Sequence, residues 1–382
     1  MFIIYLKNEI INILRLFNKT LSAVIIIAVL SISAHALQKK QIEREKPPPY
    51  NKLRVGVSLL SLAHPFFFEL EKGLQDAAYK KGHNDTAKYE NEKKYELIVV
   101  GAEYDIEKQI RQLEDFIIQD VDAIIVNPSH KDSICPVIYK ANRAGIPVFT
   151  VDTGINEHWK EDSLAVVFHV ATNNLVGGQK AAEAIIDGFK ERFPKKECKV
   201  IMLIEVGMTS SDDRVDGFKA KIVELTSDTT IFKIEGGAAR EIAYNKMKNI
   251  LKNHKFKNCF RGIFAINDEI ACGAYDFIKD SKRDSIILVG FDGSQDAKER
   301  IEKEITHKDS TIFYDTIQQY PRWMGRCIFK EVVKYFSNEK GKEKKQEELP
   351  ECDDDECTEK KLIFTAKRQP KYNNRKNKEP KN

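Results

Sequence analysis

Residues 286–292 read IILVGFD and residues 146–152 read IPVFTVD. Each is a short apolar run that stops at an aspartate, and neither alternates between apolar and polar as a half-wet strand does. Near-continuous Ile, Val and Phe over so few positions marks a strand buried on both faces, as in a parallel sheet covered by helices. Working outward, similar runs occur at 53–59 (LRVGVSL), 96–101, 122–127 (DAIIVN) and 165–170, and again at 199–204 (KVIMLI), 230–234, 262–266 (GIFAI) and 311–316. Between them the period becomes helical over 106–119, 131–144, 174–190, 239–252 and 319–336. Strands alternating with helices read as βαβ units. Ten strands in one open sheet would be unusual, whereas two sheets of about five fit the usual sheet and domain sizes. The expected fold class is α/β, with two doubly wound parallel-sheet lobes.

The ends of the chain read differently from its body. Lys7, Arg15 and Lys19 precede an uncharged stretch over 20–34 that closes with Ala34, His35 and Ala36. A charged region, an apolar region and a small-x-small site describe a secretory signal peptide over 1–36. The apolar stretch is shorter than the roughly 20 residues of a spanning helix, although the MFIIYL and IINILRLF segments before it leave an uncleaved anchor as the alternative. Residues 37–52, with three prolines at 47–49, read as an extended linker. Residues 370–382 read as a disordered basic tail.

The charge balance, 62 basic against 58 acidic residues for a net +4, is spread along the chain and offers no stripe for nucleic acid. The seven cysteines are odd in number and scattered. Cys135, Cys272 and Cys327 read as buried small hydrophobes. Cys352 and Cys357 bracket an acidic run and read as a local disulfide or two free thiols, since no second pair stands nearby for a metal. There is no GxSxG, GxxxxGK[ST], HExxH or CxxC motif. The small residues from Gly236 to Ala239 lack the third glycine of a dinucleotide loop, so no cofactor is expected.

Ligands of open α/β sheets bind beyond the carboxyl ends of the strands. That rule selects residues 61–67, Asp152, Asn267 and Asp292. Pro65 opens a helix after the first strand; Phe68 reads as core, and Phe66 and Phe67 as either core or cleft. Asp152 and Asp292 also suit a cap or turn, and one of Asn267, Asp268 and Glu269 suits a helix cap. Arg214 lies near the start of a helix, where its charge opposes the dipole unless it is paired or used.

In order and spacing these residues resemble the ribose- and galactose-type periplasmic binding proteins, over about 53–366. The HPFF segment after the first strand resembles the family's Asn-Pro-Phe-Phe, which implies His64, Phe66 and Phe67 on one side of a cleft, with Ser61 in the same loop. IPVFTVD implies a sugar-binding Asp152. Thr209 and Ser210, followed by RVDGF at 214–218, imply a binding Arg214; FAINDE implies Asn267, VGFDG implies Asp292, and TIQQYP implies Gln319. Thr153, also placed in the site, stands where ribose binders carry an arginine, and Ala238 or Ala239 where they place an aromatic.

The resemblance implies a first lobe of 53–171 plus 320–350, a second of 172–319 plus 360–369, and hinge crossings near Thr172, Gln319 and the last strand. It implies a monomeric periplasmic protein, not an enzyme, that closes on a small sugar and delivers it to the membrane permease of an ABC importer. A sensor presenting occupancy to a membrane kinase or chemoreceptor is the alternative. A lactose-repressor-like regulator would need DNA-binding helices in the first fifty residues, which are apolar and then Pro-rich. A sugar hydrolase would need Asp152 and Asp292 as its carboxylate pair.

Overall fold

The computed structural model describes residues 52–79, 94–156, 158–159, 164–193, 198–226, 229–237, 239–252, 260–283, 286–306, 313–339, 363–365 and 367–368. The leader, the linker, Cys352, Cys357 and the basic tail lie outside them. Among the described residues no helix is long and apolar enough to cross a membrane.

In the first half β1 (Leu53–Leu59), α1 (Pro65–Tyr79), β2 (Tyr95–Gly101), α2 (Ile106–Ile118), β3 (Ala123–Val126), α3 (Cys135–Arg143), β4 (Val148–Val151) and β5 (Phe168–Asn173) follow one another. The second half repeats the scheme. It comprises α4 (Asn174–Arg192), β6 (Cys198–Ile204), α5 (Thr209–Leu225), β7 (Thr229–Glu235), α6 (Arg240–Lys252), β8 (Gly262–Ala265), α7 (Asp268–Asp280), β9 (Ile287–Asp292), α8 (Gln295–Thr306), β10 (Phe313–Gln318) and α9 (Pro321–Glu339). Two short strands, β11 (Ile363–Thr365) and β12 (Lys367–Arg368), complete it.

The strands form two sheets with one order, β2-β1-β3-β4-β5 and β7-β6-β8-β9-β10, all parallel. The order reverses between β1 and β3 and again between β6 and β8, which opens a crevice at the carboxyl end of each sheet. At the far edges β11 lies parallel to β5 and β12 antiparallel to β10. Residues 360–369, assigned from sequence to the second lobe, are therefore divided: main-chain pairing holds 363–365 on the first sheet, and only 367–368 on the second.

Each sheet has its own core, and the helices that fill it are exchanged. Val57, Leu70, Ile125 and Phe149 pack with Ile328, Phe329 and Val332 of α9, which follows the last long strand of the second sheet. Ile185 and Phe189 of α4, which follows the last long strand of the first sheet, pack with Met202, Phe264 and Val289. The chain therefore crosses between lobes after Asn173 and after Gln318. Cys135, Cys272 and Cys327 are buried thiols.

Both exchanged helices approach their neighbours too closely for a side chain. A Cβ on Gly73 of α1 would stand 1.9 Å from the Arg322 carbonyl oxygen of α9, and one on Gly325 2.1 Å from that of Leu70. The same pairing joins α4 to α5, where a Cβ on Gly217 would meet the Leu175 oxygen at 1.9 Å and one on Gly178 the Arg214 oxygen at 2.1 Å. Gly217→Ala is expected to lower stability by about 1–3 kcal/mol, because backbone must move to admit the methyl group. Gly154→Ala, whose nearest neighbour would be at 3.6 Å, is the control and is expected to be near neutral. Urea denaturation midpoints of the two variants check this.

Candidate functional site

All the site residues expected from sequence except Ser61 line one cavity. His64, Phe66, Phe67, Asp152 and Thr153 come from the first half, and Arg214, Asn267, Asp292 and Gln319 from the second. Ser61 is buried elsewhere: its hydroxyl donates to Glu103 Oε2 at 2.6 Å and accepts from Ala63 N at 3.2 Å, which folds the loop after β1. Phe68, expected in the core, is 48% exposed with Lys72 Nζ 4.2 Å from its ring centroid, because α1 turns its neighbours Phe66 and Phe67 inward instead.

The two strand-ending aspartates have positive φ, 63° at Asp152 and 126° at Asp292. Aspartate tolerates positive φ better than most residues, and such backbone persists where the surroundings hold it. Asp152 is 7% exposed. Its Oδ2 accepts from Asn127 Nδ2 at 3.2 Å and Thr153 Oγ1 at 3.4 Å, while its Oδ1 has no hydrogen-bond partner. Asp292 Oδ1 accepts from Gln319 Nε2 at 2.6 Å, and Gln319 Oε1 accepts from Thr172 Oγ1 at 2.5 Å. A chain of hydrogen bonds thus runs from one crossing through the other to the cavity.

Arg214 is 5% exposed. Its Nε donates to Asn174 Oδ1 at 2.8 Å, one terminal nitrogen donates to the Ile266 carbonyl at 2.6 Å, and the other lies 4.0 Å from Asp152 Oδ1. Its guanidinium carbon sits 3.9 Å from the centroid of the Phe291 ring. Asn267 accepts from Ile270 N at 2.8 Å and so caps α7, which leaves its amide protons for other acceptors.

His64 Nδ1 accepts from Phe66 N at 3.2 Å, which leaves the ring proton on Nε2. Burial holds its pKa down at about 4, so it is neutral. The Phe66 and Phe67 rings meet edge to face, 5.1 Å apart. At the margin the halves touch directly: Thr153 Oγ1 is 3.0 Å from Ser210 Oγ, Gly154 N donates to Thr209 Oγ1 at 2.8 Å, and Lys131 pairs with Asp212 at 2.6 Å.

The cavity also holds Glu205 and Tyr104, which the sequence reading did not select. Glu205 directly follows β6, so the rule that selected Asp152 and Asn267 applies to it equally. Tyr104 has a positive φ in the loop after β2 and left no sequence signal. Burial pushes Glu205 up to about 7, with Asp152 adding to the shift and Arg214 and a hydrogen bond from Asn267 opposing it. Burial likewise raises Asp152, against Arg214, Asn127 and Thr153. Burial and then the Asp268 charge hold Asp292 well above the usual carboxylate range.

A cavity of hydroxyl acceptors, a guanidinium, an amide and aromatic rings suits a small polyhydroxylated molecule with apolar C–H faces. Among the described residues no cluster of His, Cys, Asp and Glu is arranged to hold a metal. The fold and this cleft at the carboxyl ends of two doubly wound sheets define a two-lobed solute-binding protein. The family model "Periplasmic binding protein domain" matches residues 55–340, and the chain belongs to that family, whose members are binding proteins and not enzymes.

Among relatives, the ribose import binding protein of Bacillus subtilis is 30% identical over 315 residues, 81% of this chain and 90% of that one. The D-apiose import binding protein of Actinobacillus succinogenes is 27% identical over 257 residues, 65% of this chain and 79% of that one. Among solved structures, the Caulobacter myo-inositol binding protein superposes with a TM-score of 0.63 at 23% identity, covering 78% of this chain and 91% of that one.

Burial of Glu205 has a consequence for stability. Its carboxyl titrates at 4.5 in the ordinary case and at about 7 when folded. Between those values the folded chain keeps a proton that the unfolded chain has lost, so stability falls as pH rises through that window and is flat beyond it. The ligand-free chain is expected to lose more stability from about pH 5 to about pH 8 than the Glu205→Gln variant does, a difference on the order of 2 kcal/mol. Urea titrations of both proteins at the two pH values measure it; equal losses would contradict the buried ionisable carboxyl.

Proposed function

We propose that the chain, exported behind the leader of residues 1–36, binds a small sugar or related polyol in the periplasm and delivers it to the permease of an ABC importer. The observation that carries this reading is the Asp152, Arg214, Asn267, Asp292 and Gln319 cluster facing Phe66 and Phe67 across one cavity, with polar groups contributed by both halves. Relatives named for import of ribose and of D-apiose support the import role. Thr153 in place of a second arginine supports a ligand other than ribose; its hydroxyl faces Ser210 and Asp152 instead.

In this reading carboxylates accept sugar hydroxyls, Arg214, Asn267 and the His64 ring donate, and the Phe66 and Phe67 rings cover the C–H face. The ligand favours closure because contacts from both lobes exist together only in the closed form. The chain works as a monomer, with lobes of 53–171 plus 320–350 and 172–319 joined at the crossings.

A thermal-shift screen of the mature chain against pentoses, hexoses, polyols and furanoses tests this. A ligand at one hundred times its dissociation constant is expected to add about 2.7 kcal/mol of stability. The shift is expected to disappear in Asp292→Asn, which keeps the shape but removes the carboxyl that Gln319 orients. A folded chain that responds to none of these compounds would contradict the proposal.

A further inference from the structure

Acidic groups outnumber cations on the lining of the cavity. Asp152, Glu205 and Asp292 face a single guanidinium among the lining residues, that of Arg214, while the buried His64 is neutral. Two of the carboxyl groups keep a buried oxygen that accepts no hydrogen bond from the protein, Asp152 Oδ1 and Glu205 Oε1. Arg214 has committed Nε to Asn174 and one terminal nitrogen to Ile266, and its remaining nitrogen is 4.0 Å from Asp152. Asn267 has spent its oxygen on the α7 cap and gives Glu205 one donor. Buried acceptors without donors are costly, so a molecule that brings donors into the cavity is favoured there.

We propose that Glu205 contacts the ligand and sets its charge class: Oε1 accepts from a hydroxyl of a neutral polyol, and sugar acids and sugar phosphates are rejected. This inference rests on the sugar-binding reading above and extends it from shape to charge. The groups around Glu205 are Arg214 of α5, Asp152 after β4, Asn267 before α7 and Tyr104 after β2, with Asp292 on the same cavity. Of these only Arg214 is a cation, and burial already disfavours the charged forms of the carboxyls, so an anionic ligand would add a further negative charge to a desolvated site that opposes it.

The contact also makes binding titrate. A ligand hydroxyl donates to the ionised carboxylate, so binding favours loss of the Glu205 proton. Affinity therefore rises with pH through the range in which that proton leaves.

Isothermal titration of the full mature chain with three matched pairs tests the proposal. The pairs are D-ribose and D-ribose 5-phosphate, D-galactose and D-galacturonate, and myo-inositol and myo-inositol 1-phosphate. A neutral member is expected to bind and its anionic counterpart to fail. Affinity for the neutral member is expected to fall several-fold from about pH 8 to about pH 6. Glu205→Gln is expected to weaken binding about tenfold at the higher pH and to flatten the pH profile. The charge discrimination and the wild-type profile stand even if that variant folds poorly.

Equal binding of an anionic counterpart, or a Glu205→Gln protein with unchanged affinity and profile while Asp292→Asn binds weakly, would overturn the role of Glu205 and leave sugar binding intact. If no neutral compound binds, the sugar-binding reading fails and this inference fails with it.

Discussion

One buried guanidinium organises this molecule. Arg214 reaches from α5 to the first residue of α4 through Asn174, to the end of β8 through the Ile266 carbonyl, and over the ring of Phe291 in β9, and it faces Asp152 at the end of β4. A buried cation is tolerable only with such partners, and buried carboxylates are tolerable only near such a cation. The raised pKa values of Asp152, Glu205 and Asp292 record how incompletely one guanidinium compensates three carboxyls. The site therefore carries buried acceptors that the protein itself does not satisfy, which fits the proposed binding of a hydroxyl-rich ligand.

The same geometry ties the cavity to the crossings. Thr172 is the last residue but one of β5, Gln319 follows the last long strand of the second sheet, and their side chains are bonded to each other and onward to Asp292. In the proposed reading a rotation of one lobe against the other acts on that chain and so couples hinge position to the orientation of the Asp292 carboxyl. At the margin closure is supported by the Thr153–Ser210 and Gly154–Thr209 hydrogen bonds and by one ion pair. The Lys131–Asp212 pair is partly exposed, and exposed pairs contribute about 0–1 kcal/mol. A ligand that supplies donors to both lobes can dominate the balance between open and closed forms.

Much of this was legible because burial on both faces leaves no choice of residue. The strand read over 53–59 is β1, and IILVGFD and IPVFTVD each end in β-structure whose terminal aspartate lines the cavity. Legibility failed where apolar patterning stopped before the structure did. The strands read over 165–170 and 311–316 run on to Asn173 and Gln318; of the added residues Thr172 serves the crossing through a hydrogen bond, while Ile317 packs in the core. Ser61 was misplaced because a loop serine next to a cleft reads the same whether it faces the ligand or, as here, Glu103. The final strands are two or three residues long, and nothing in so short a segment tells which sheet edge will take it.

The most direct test is a crystal structure of the chain grown with the sugar that stabilises it most. The expected result is that sugar in the cavity, with hydroxyls on Asp152 and Arg214 and on Asn267 and Asp292, its C–H face against Phe66 and Phe67, and groups from both lobes in contact with it. A sugar bound outside this cavity, or held by residues of one lobe alone, would contradict the coupling of ligand to closure on which the reading depends.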